Sequence, residues 1–487
     1  MLHIHRAERA DGLVEALGGL LSAPLADPFA SEVVAVPTRG MERWLTQRLS
    51  AHLGVSTGRR DGVCANVDFP FPRRLVGGAV AAASGADPDE DPWLPERALW
   101  TLLEVVDDSL DEPWLVGLSA YLGGSGEGAE PARRARRLSV VRHLAELFAR
   151  YGLHRPEMVR AWAGGDFEGA WQAELWRRLR ERIGHPSPAE RLEPACERLR
   201  DDPDVVELPQ RLSLFGLTRL PASDLAVLGA LAARRDAHLF LLHPSPALWE
   251  TVAEATAEHA PIARRAADTT ADLPANRLLA SWGKDARELQ LVLDGGREHA
   301  DHHHPVEHDS ETLLARIQAD VRGDRRPPGA QLPGAEEERP LLDPDDHSLQ
   351  VHSCHGRARQ VEIVRDAILH VLRQDPTLEP RDVIVMCPDI EAFAPLIQAS
   401  FGAGELSGDD ELPADVRPVD LRVRLADRAL RQTNPVLAVV AELLELTAER
   451  LTASQVLDLA DREPVRRRFG LDDGDLTRMQ RWIADSG

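Results

Sequence analysis

The chain has 487 residues, 43% hydrophobic and 28% charged, with a formal net charge of −23. That length exceeds one hydrophobic core and predicts two or three domains, while the absence of any run of about 18 apolar residues argues against a membrane span. The acidic balance disfavours indiscriminate binding to nucleic acid but leaves room for a local arginine-lined channel, because a focused patch acts against the global sign.

The opening Met-Leu-His-Ile-His-Arg has no apolar core of signal-peptide length and reads as a first strand. Four cysteines, Cys64, Cys196, Cys354 and Cys387, are scattered without a CxxC. That fits a reducing cytoplasm and argues against a disulfide framework or a thiolate zinc site. The basic residues are almost all arginine, with Lys284 the only lysine; a GC-rich genome produces the same bias.

Strand and helix signals alternate at the start: strand Leu2–His5, helix Asp11–Leu21, strand Glu32–Val36, helix Met41–Leu53. Such alternation predicts an α/β fold with a parallel sheet and crossover helices. From Asp91 to Arg200 only helical periodicity is found, as in Ala98-Leu99-Leu102-Leu103-Val106. Strand signals return at Arg211–Phe215 and Ala237–Leu242, with a helix Ser223–Ala233 between them. Residues 1–90 and 205–320 are therefore expected to form one α/β domain carrying a helical insertion, 91–204. A Pro/Gly-rich linker spans 321–346. A second α/β start is expected over 347–433, with strands His347–His352 and Asp382–Met386 and helices Arg357–Arg373 and Ile390–Phe401. A helical segment, 434–487, closes the sequence directly after an amphipathic helix, which predicts that the chain is part of a longer one.

The most informative block is Val33–Leu45, followed at Ala65–Pro72 by Ala-Asn-Val-Asp-Phe-Pro-Phe-Pro. A short β-branched run stops at Pro37, and a polar turn with Thr38, Arg39 and Gly40 opens an amphipathic helix bearing Arg43. In an open α/β sheet such a turn lies at the carboxyl end of a strand, where ligands bind. It has the shape of a phosphate site, yet the parts of an ATPase are missing. A P-loop needs glycines, a lysine on the phosphates and a hydroxyl on magnesium. Around Lys284, Leu278 stands where the first glycine belongs and Asp285 where Ser or Thr belongs. The strand Arg211–Phe215 carries no carboxylate to hold a metal.

Other chemistry-bearing groups have plainer readings. The run Asp301-His302-His303-His304, with Glu307 and His308, has metal-ligand residue types but reads better as a polar loop. His352 and Cys354 read as a core strand leading into a turn. Asp389 and Glu391 could hold magnesium, but Asp389 suits an N-cap better. Arg133-Arg134-Ala135-Arg136-Arg137 opens a helix, where a solvated face competes with phosphate contacts. Trp162, Trp171 and Trp176 point to core packing. Phe71, between Pro70 and Pro72, either plugs a core or wedges against a base.

Several blocks together resemble the RecC family, the gamma chains of exodeoxyribonuclease V. They are Met1–Arg9, Val36–Leu45, Ala65–Pro72, Leu147–Tyr151 with Arg155-Pro156, Trp171–Trp176, Phe215–Leu217 with Leu220-Pro221, Leu279–Lys284, Cys354-His355 with Arg359–Glu362, Pro380–Met386 and Ile397–Gly402. The resemblance implies superfamily-1 helicase-like domains with degenerate ATPase sites, and a further carboxyl half with an inactive nuclease-like domain. It implies no catalytic residue, no metal and no cofactor in this chain, ATP and magnesium being used by partner subunits. The partners it implies are RecB-like and RecD-like subunits, double-stranded DNA ends and single-stranded DNA, in the cytoplasm and without a membrane. The implied task is to split duplex ends, channel the 3′-ended strand and scan it for a Chi-like sequence. Positions matching the family's Chi-reading residues are Thr38, Arg39, Arg43, Phe71, Glu146, Leu147 and Arg155. The chain departs from the enterobacterial pattern: Pro37 stands for a glutamine, Arg39 for a threonine, Arg43 for a glutamine, Gly77 for a tryptophan and Ala149 for an aspartate. Arginines in place of amides favour guanine or phosphate contacts, so a different octamer, or none, is expected. The alternatives are a subunit of an AddAB-type helicase–nuclease and a protein-only scaffold.

Overall fold

The structure is a computed structural model. It describes residues 1–487 except 28, 57–61, 86, 88, 123–130, 166–170, 257–267, 295–298, 307–310, 328–342, 402–420, 422, 424, 426–433, 447–450 and 487. Two compact units, Met1–Leu349 and Gln350–Gly487, divide the chain.

The first unit is built on a six-stranded sheet: β1 (Leu2–Ala7), β2 (Glu32–Ala35), β3 (Val67–Asp68), β4 (Arg211–Phe215), β5 (Asp236–Leu242) and β6 (Ala300–His303), ordered β3-β2-β4-β5-β1-β6. Every pairing is parallel. All strand carboxyl ends therefore lie along one edge of the sheet, and the turns after β3, β2 and β4 are neighbours there. The crossovers carry α1 (Ala10–Leu21), α2 (Arg39–Leu49) and α3 (Pro72–Ser84).

Side chains alternate across the sheet, as strand geometry demands. Ile4, Leu212, Leu214, Leu239 and Leu241 face Leu75 and Ala79 of α3. On that same face lie Leu199 of α9 (Pro188–Asp201) and Leu228 of α10 (Ala222–Leu231). Val34, Phe215 and Phe240 face the opposite way, against Leu13 and Leu17 of α1 and Leu45 and Leu49 of α2. Both faces are covered, as parallel sheets require.

Between β3 and β4 the chain forms α4 (Pro95–Asp108), α5 (Val116–Leu122), α6 (Pro131–His154), α7 (Pro156–Ala163) and α8 (Trp171–Ile183) before α9. Their core is separate from the two sheet cores and includes Leu102, Val106, Val141, Phe148, Trp162 and Trp176, with Trp171 packed against it. The tryptophans are core residues, as their spacing suggested. Arg136 lies over the Tyr121 ring at 5.6 Å and Arg137 pairs with Asp107 at 2.8 Å, so both are engaged within the helical region. The side chains of Arg133 and Arg134 lie outside the described residues. After β5 come α11 (Pro246–Thr256), α12 (Arg277–Ser281), α13 (Lys284–Asp294), and, beyond β6, α14 (Leu313–Arg322). Lys284 opens a helix that follows another helix, not a strand, so it is not placed as a P-loop lysine. The expected linker falls largely on residues outside the described set.

The histidine run is not a polar loop. Ala300–His303 is the edge strand β6, registered on β1, because backbone pairing outweighs side-chain polarity on an edge. His302 and His304 thereby join His3, His5 and His238 on one face. His3 Nδ1 meets His302 Nε2 at 3.1 Å, His5 Nδ1 meets His304 Nε2 at 3.0 Å, and His5 Nε2 meets His238 Nδ1 at 3.1 Å. These are pairwise contacts. Among the described residues no group of three or more His, Cys, Asp or Glu is placed to hold a metal ion. Glu307 and His308 lie outside the described residues.

In the second unit, α15 (Arg357–Gln374) packs on α16 (Ile390–Phe401), and α17 (Pro435–Leu446), α18 (Ala453–Asp461), α19 (Glu463–Phe469) and α20 (Asp473–Ser486) follow. The expected strands His347–His352 and Asp382–Met386 are absent: among its described residues this unit has no strand. Both segments lack a neighbouring strand to accept their backbone bonds, and Val351, Ile384 and Met386 are exposed. His352 is likewise exposed rather than in a core strand. Asp389 does cap α16, its Oδ1 accepting from Ala392 N at 3.3 Å.

Candidate nucleic-acid interface

The carboxyl ends of β2, β3 and β4 set the site. After β2, Val36 N donates to Pro70 O at 3.0 Å, tying this turn to the segment that follows β3. Thr38 then caps α2, its Oγ1 accepting from Met41 N at 3.1 Å, which satisfies one of the orphan amides at the helix start. The turn after β4 presses close: Gly216 has φ +74°, and a Cβ there would meet Met41 Cε at 3.1 Å. Only glycine accepts both the left-handed backbone and that approach.

This close packing brings two expected site residues together. The Arg39 guanidinium sits over the Phe71 ring at 5.2 Å and also pairs with Glu42. Phe71 is 42% exposed, so it is no core plug; Phe69, two residues earlier, is the one that packs inward. Arg43 is exposed and forms no ion pair among the described residues. Pro72 starts α3, with Phe71 as its N-cap residue, which places Arg73 in the first turn beside them.

The helical region contributes a second group of cations. His154, the last residue of α6, is held below the ordinary imidazole pKa, first by partial burial and then by the positive charges of Arg219, Arg73, Arg150 and Arg155. Arg219 comes from the turn after β4, Arg73 from α3, Arg150 from the last turns of α6, and Arg155 from the junction between α6 and α7. Four guanidinium groups from three segments thus act on one imidazole. Glu146 borders this group through an ion pair to Arg150 at 3.7 Å. Leu147 is half-buried against the helical core. Thr38, Arg39, Arg43 and Phe71 are therefore together on the sheet edge, Glu146 and Arg155 belong to the cluster around His154, and Leu147 serves packing.

Arg73, Arg150 and Arg219 escaped the sequence reading. Arg219 does have a sequence signal, since it directly follows the strand Arg211–Phe215, at whose carboxyl end ligand-facing residues are expected. The arrangement can bind a polyanion. Arginine forks contact phosphates, an exposed aromatic stacks on bases, and both sit where an open α/β sheet places ligands.

Comparison with known proteins decides the family. The model described as "RecC, N-terminal domain" matches residues 2–324, and "RecBCD enzyme subunit RecC fourth domain" matches residues 433–487. The chain belongs to the RecC family. It is similar to the RecBCD enzyme subunit RecC of Mycobacterium tuberculosis (strain ATCC 25618 / H37Rv), 46% identical over 493 residues covering 100% of this chain and 43% of that protein. The subunit of the same name from Mycolicibacterium smegmatis is 45% identical over 490 residues, covering 100% of this chain and 42% of its own length. That from Escherichia coli (strain K12) is 28% identical over 529 residues, covering 100% and 45%. This RecC-family chain thus spans less than half the length of the relatives it matches.

Proposed function

We propose that this RecC-family chain is a non-catalytic, DNA-handling part of a RecBCD-type helicase–nuclease, acting in double-strand-break repair by homologous recombination. The observation that carries the proposal is the exposed Arg39–Phe71 pair at the carboxyl edge of a parallel sheet, with Arg73 beside Phe71 in the first turn of α3 and Arg219 in the turn after β4, two of the arginines that act on His154. A net charge of −23 disfavours nucleic acid over the surface as a whole, and a local convergence of cations steers a strand toward this edge. Phosphates rest on Arg43, Arg73, Arg155 and Arg219, and Phe71 offers a face to a passing base. The chain orients DNA and leaves hydrolysis to others: its sheet is of helicase-like ancestry with no lysine or carboxylate at the nucleotide positions. RecB-like and RecD-like partners would supply ATP and magnesium chemistry. In this reading the chain helps part duplex ends, channels the 3′-ended strand and scans it for a sequence that differs from the enterobacterial octamer. It works in the cytoplasm; among the described residues no helix is long and apolar enough to cross a membrane.

The test is fluorescence anisotropy of a labelled single strand with the parent chain and an Arg43→Ala/Arg73→Ala/Arg155→Ala variant. Binding that weakens in the variant and falls steeply with salt is expected. No binding by the parent chain would support a protein-only scaffold instead, and equal binding by both would overturn this edge of the sheet as the DNA path.

A further inference from the structure

At the corner where α12 turns into α13, Trp282 is 83% exposed, although a tryptophan ring is ordinarily a large part of a buried core. Its backbone is tightly fixed. Trp282 N donates to Leu278 O at 2.7 Å, Gly283 N donates to the same carbonyl at 3.2 Å, and Arg287 N donates to Gly283 O at 3.1 Å as the next helix begins. A Cβ built on Gly283 would come within 2.7 Å of Leu279 O, so only glycine closes the corner. Leu279 takes the inward place, in a small core with Leu248 and Val252. The indole is left outward on a fixed turn, with the exposed Leu278 one helical turn before it.

The charges flanking the ring are positive. Arg277 and Lys284, on either side of Trp282 in sequence, are exposed and form no ion pair among the described residues. The neighbouring carboxylate is engaged: Asp285 accepts from Arg219 Nη2 at 2.9 Å. Arg219 stands in the turn after β4, so this ion pair fastens the α12–α13 corner to the carboxyl edge of the sheet, which also bears Arg39 and Phe71. A simple polyanion would use only the cations, and an apolar partner only the ring. A single strand of nucleic acid uses both, with phosphates for Arg277 and Lys284 and bases for the indole. In a duplex the base faces are stacked on one another, so they are open only at an end or once the strands have parted.

We propose that Trp282 is a base-stacking platform for single-stranded DNA, with Arg277 and Lys284 holding the flanking phosphates. The strand reaches it from the sheet edge by way of Arg219. Every base has a π-face, so the platform grips a strand whatever its sequence and serves the strand's passage, not its reading. This rests on the DNA-handling reading and adds to it a contact on α12 and α13, outside the Arg39–Phe71 pair and the arginines of α3 and α6.

Anisotropy with the 487-residue chain tests it, using a labelled all-thymine strand and an abasic strand of equal length, which keeps the phosphates and lacks the ring faces. In a Phe71→Ala background, which removes the exposed ring of the sheet edge, the thymine strand is expected to bind about tenfold more tightly than the abasic one, the size of one base–aromatic stack. Adding Trp282→Ala should abolish that preference while abasic affinity and melting temperature hold, and Trp282→Phe should restore most of it. Arg277→Ala/Lys284→Ala should do the converse, lowering the slope of log affinity against log salt by about 2 with the preference intact. If Trp282→Ala melts early, crosslinking of a 4-thiothymine strand to the parent chain takes its place, with attachment to the Arg277–Lys284 peptide expected and none there overturning the proposal. A base preference that survives a folded Trp282→Ala overturns it. So does a Trp282→Ala chain that binds strands like the parent but no longer holds a RecB-like subunit, the corner then being a protein interface. If the parent binds neither strand, the DNA-handling reading falls too; if it binds strands and the Phe71→Ala chain holds both equally, only the stacking platform falls.

Discussion

The Arg39 guanidinium rests over the ring of Phe71 at 5.2 Å, joining the turn after β2 to the segment after β3. The two residues are far apart on the chain's crossover path and meet because their strands are parallel neighbours. Arg39→Ala and Phe71→Ala should therefore each weaken single-strand binding, Phe71→Ala by about 1–3 kcal/mol for a lost stacking face. Thermal stability should change by no more than about 0.5 kcal/mol, since both side chains are on the surface. Anisotropy and a melting curve on the same samples check both halves.

Arg43 is exposed on α2 with no ion pair among the described residues, so its charge is available to a phosphate. Replacing it with alanine should lower the slope of log affinity against log salt by about 1, with little change in sequence preference. Arg43→Lys should keep the slope. An unchanged slope in Arg43→Ala would remove this residue from the strand path.

The histidines on the β5–β1–β6 face predict acid sensitivity. Burial, then the neighbouring imidazole of His238, lowers His5 to about 3; burial, then His3, lowers His238 to about 4. Both are neutral in the folded chain, while the unfolded chain takes up their protons near the ordinary value of about 6.5. From about 6.5 downward the unfolded state binds more protons, so stability is full above that pH and declines as pH falls toward 4. The melting temperature of the first unit should drop between pH 7.5 and 5.5, a window above most carboxylate titration. His5→Gln should flatten that drop. A level melting temperature in the parent across this window would contradict the assignment.

Arg287 on α13 is paired with Asp268 at 2.6 Å, both side chains almost fully buried at 4% and 5% exposure. Thr270 Oγ1 also accepts from Arg287. Arg287→Met leaves a buried carboxylate without its cation, a loss of about 3–5 kcal/mol. The Arg287→Met/Asp268→Leu double variant should regain most of it, because the isolated charge is the main cost. Denaturant midpoints of the two variants give the comparison.

The sheet was legible wherever strands are apolar. Leu2–Ala7, Glu32–Ala35, Arg211–Phe215 and Asp236–Leu242 all carry alternating or continuous hydrophobic runs. β6, written Ala-Asp-His-His, was not legible, because an edge strand is held by its backbone and its polar side chains hide it. The opposite error came at Asp382–Met386, where Val383-Ile384-Val385 has strand composition but no partner strand among the described residues. The site shows the same division. Thr38, Arg39 and Arg43 could be found because they follow a strand directly. The meeting of Arg73, Arg150, Arg155 and Arg219 at His154, and of Arg219 with Asp285, depends on strand order and helix packing between distant segments, which periodicity does not encode.

Photocrosslinking of a forked DNA end to the complex reconstituted with RecB-like and RecD-like subunits, followed by peptide mapping, tests the central claim most directly. Crosslinks of the 3′-ended strand to the peptides bearing Thr38–Arg43 and Phe71–Arg73 are predicted. Crosslinks confined to the partner subunits, with none on this edge of the sheet, would contradict it.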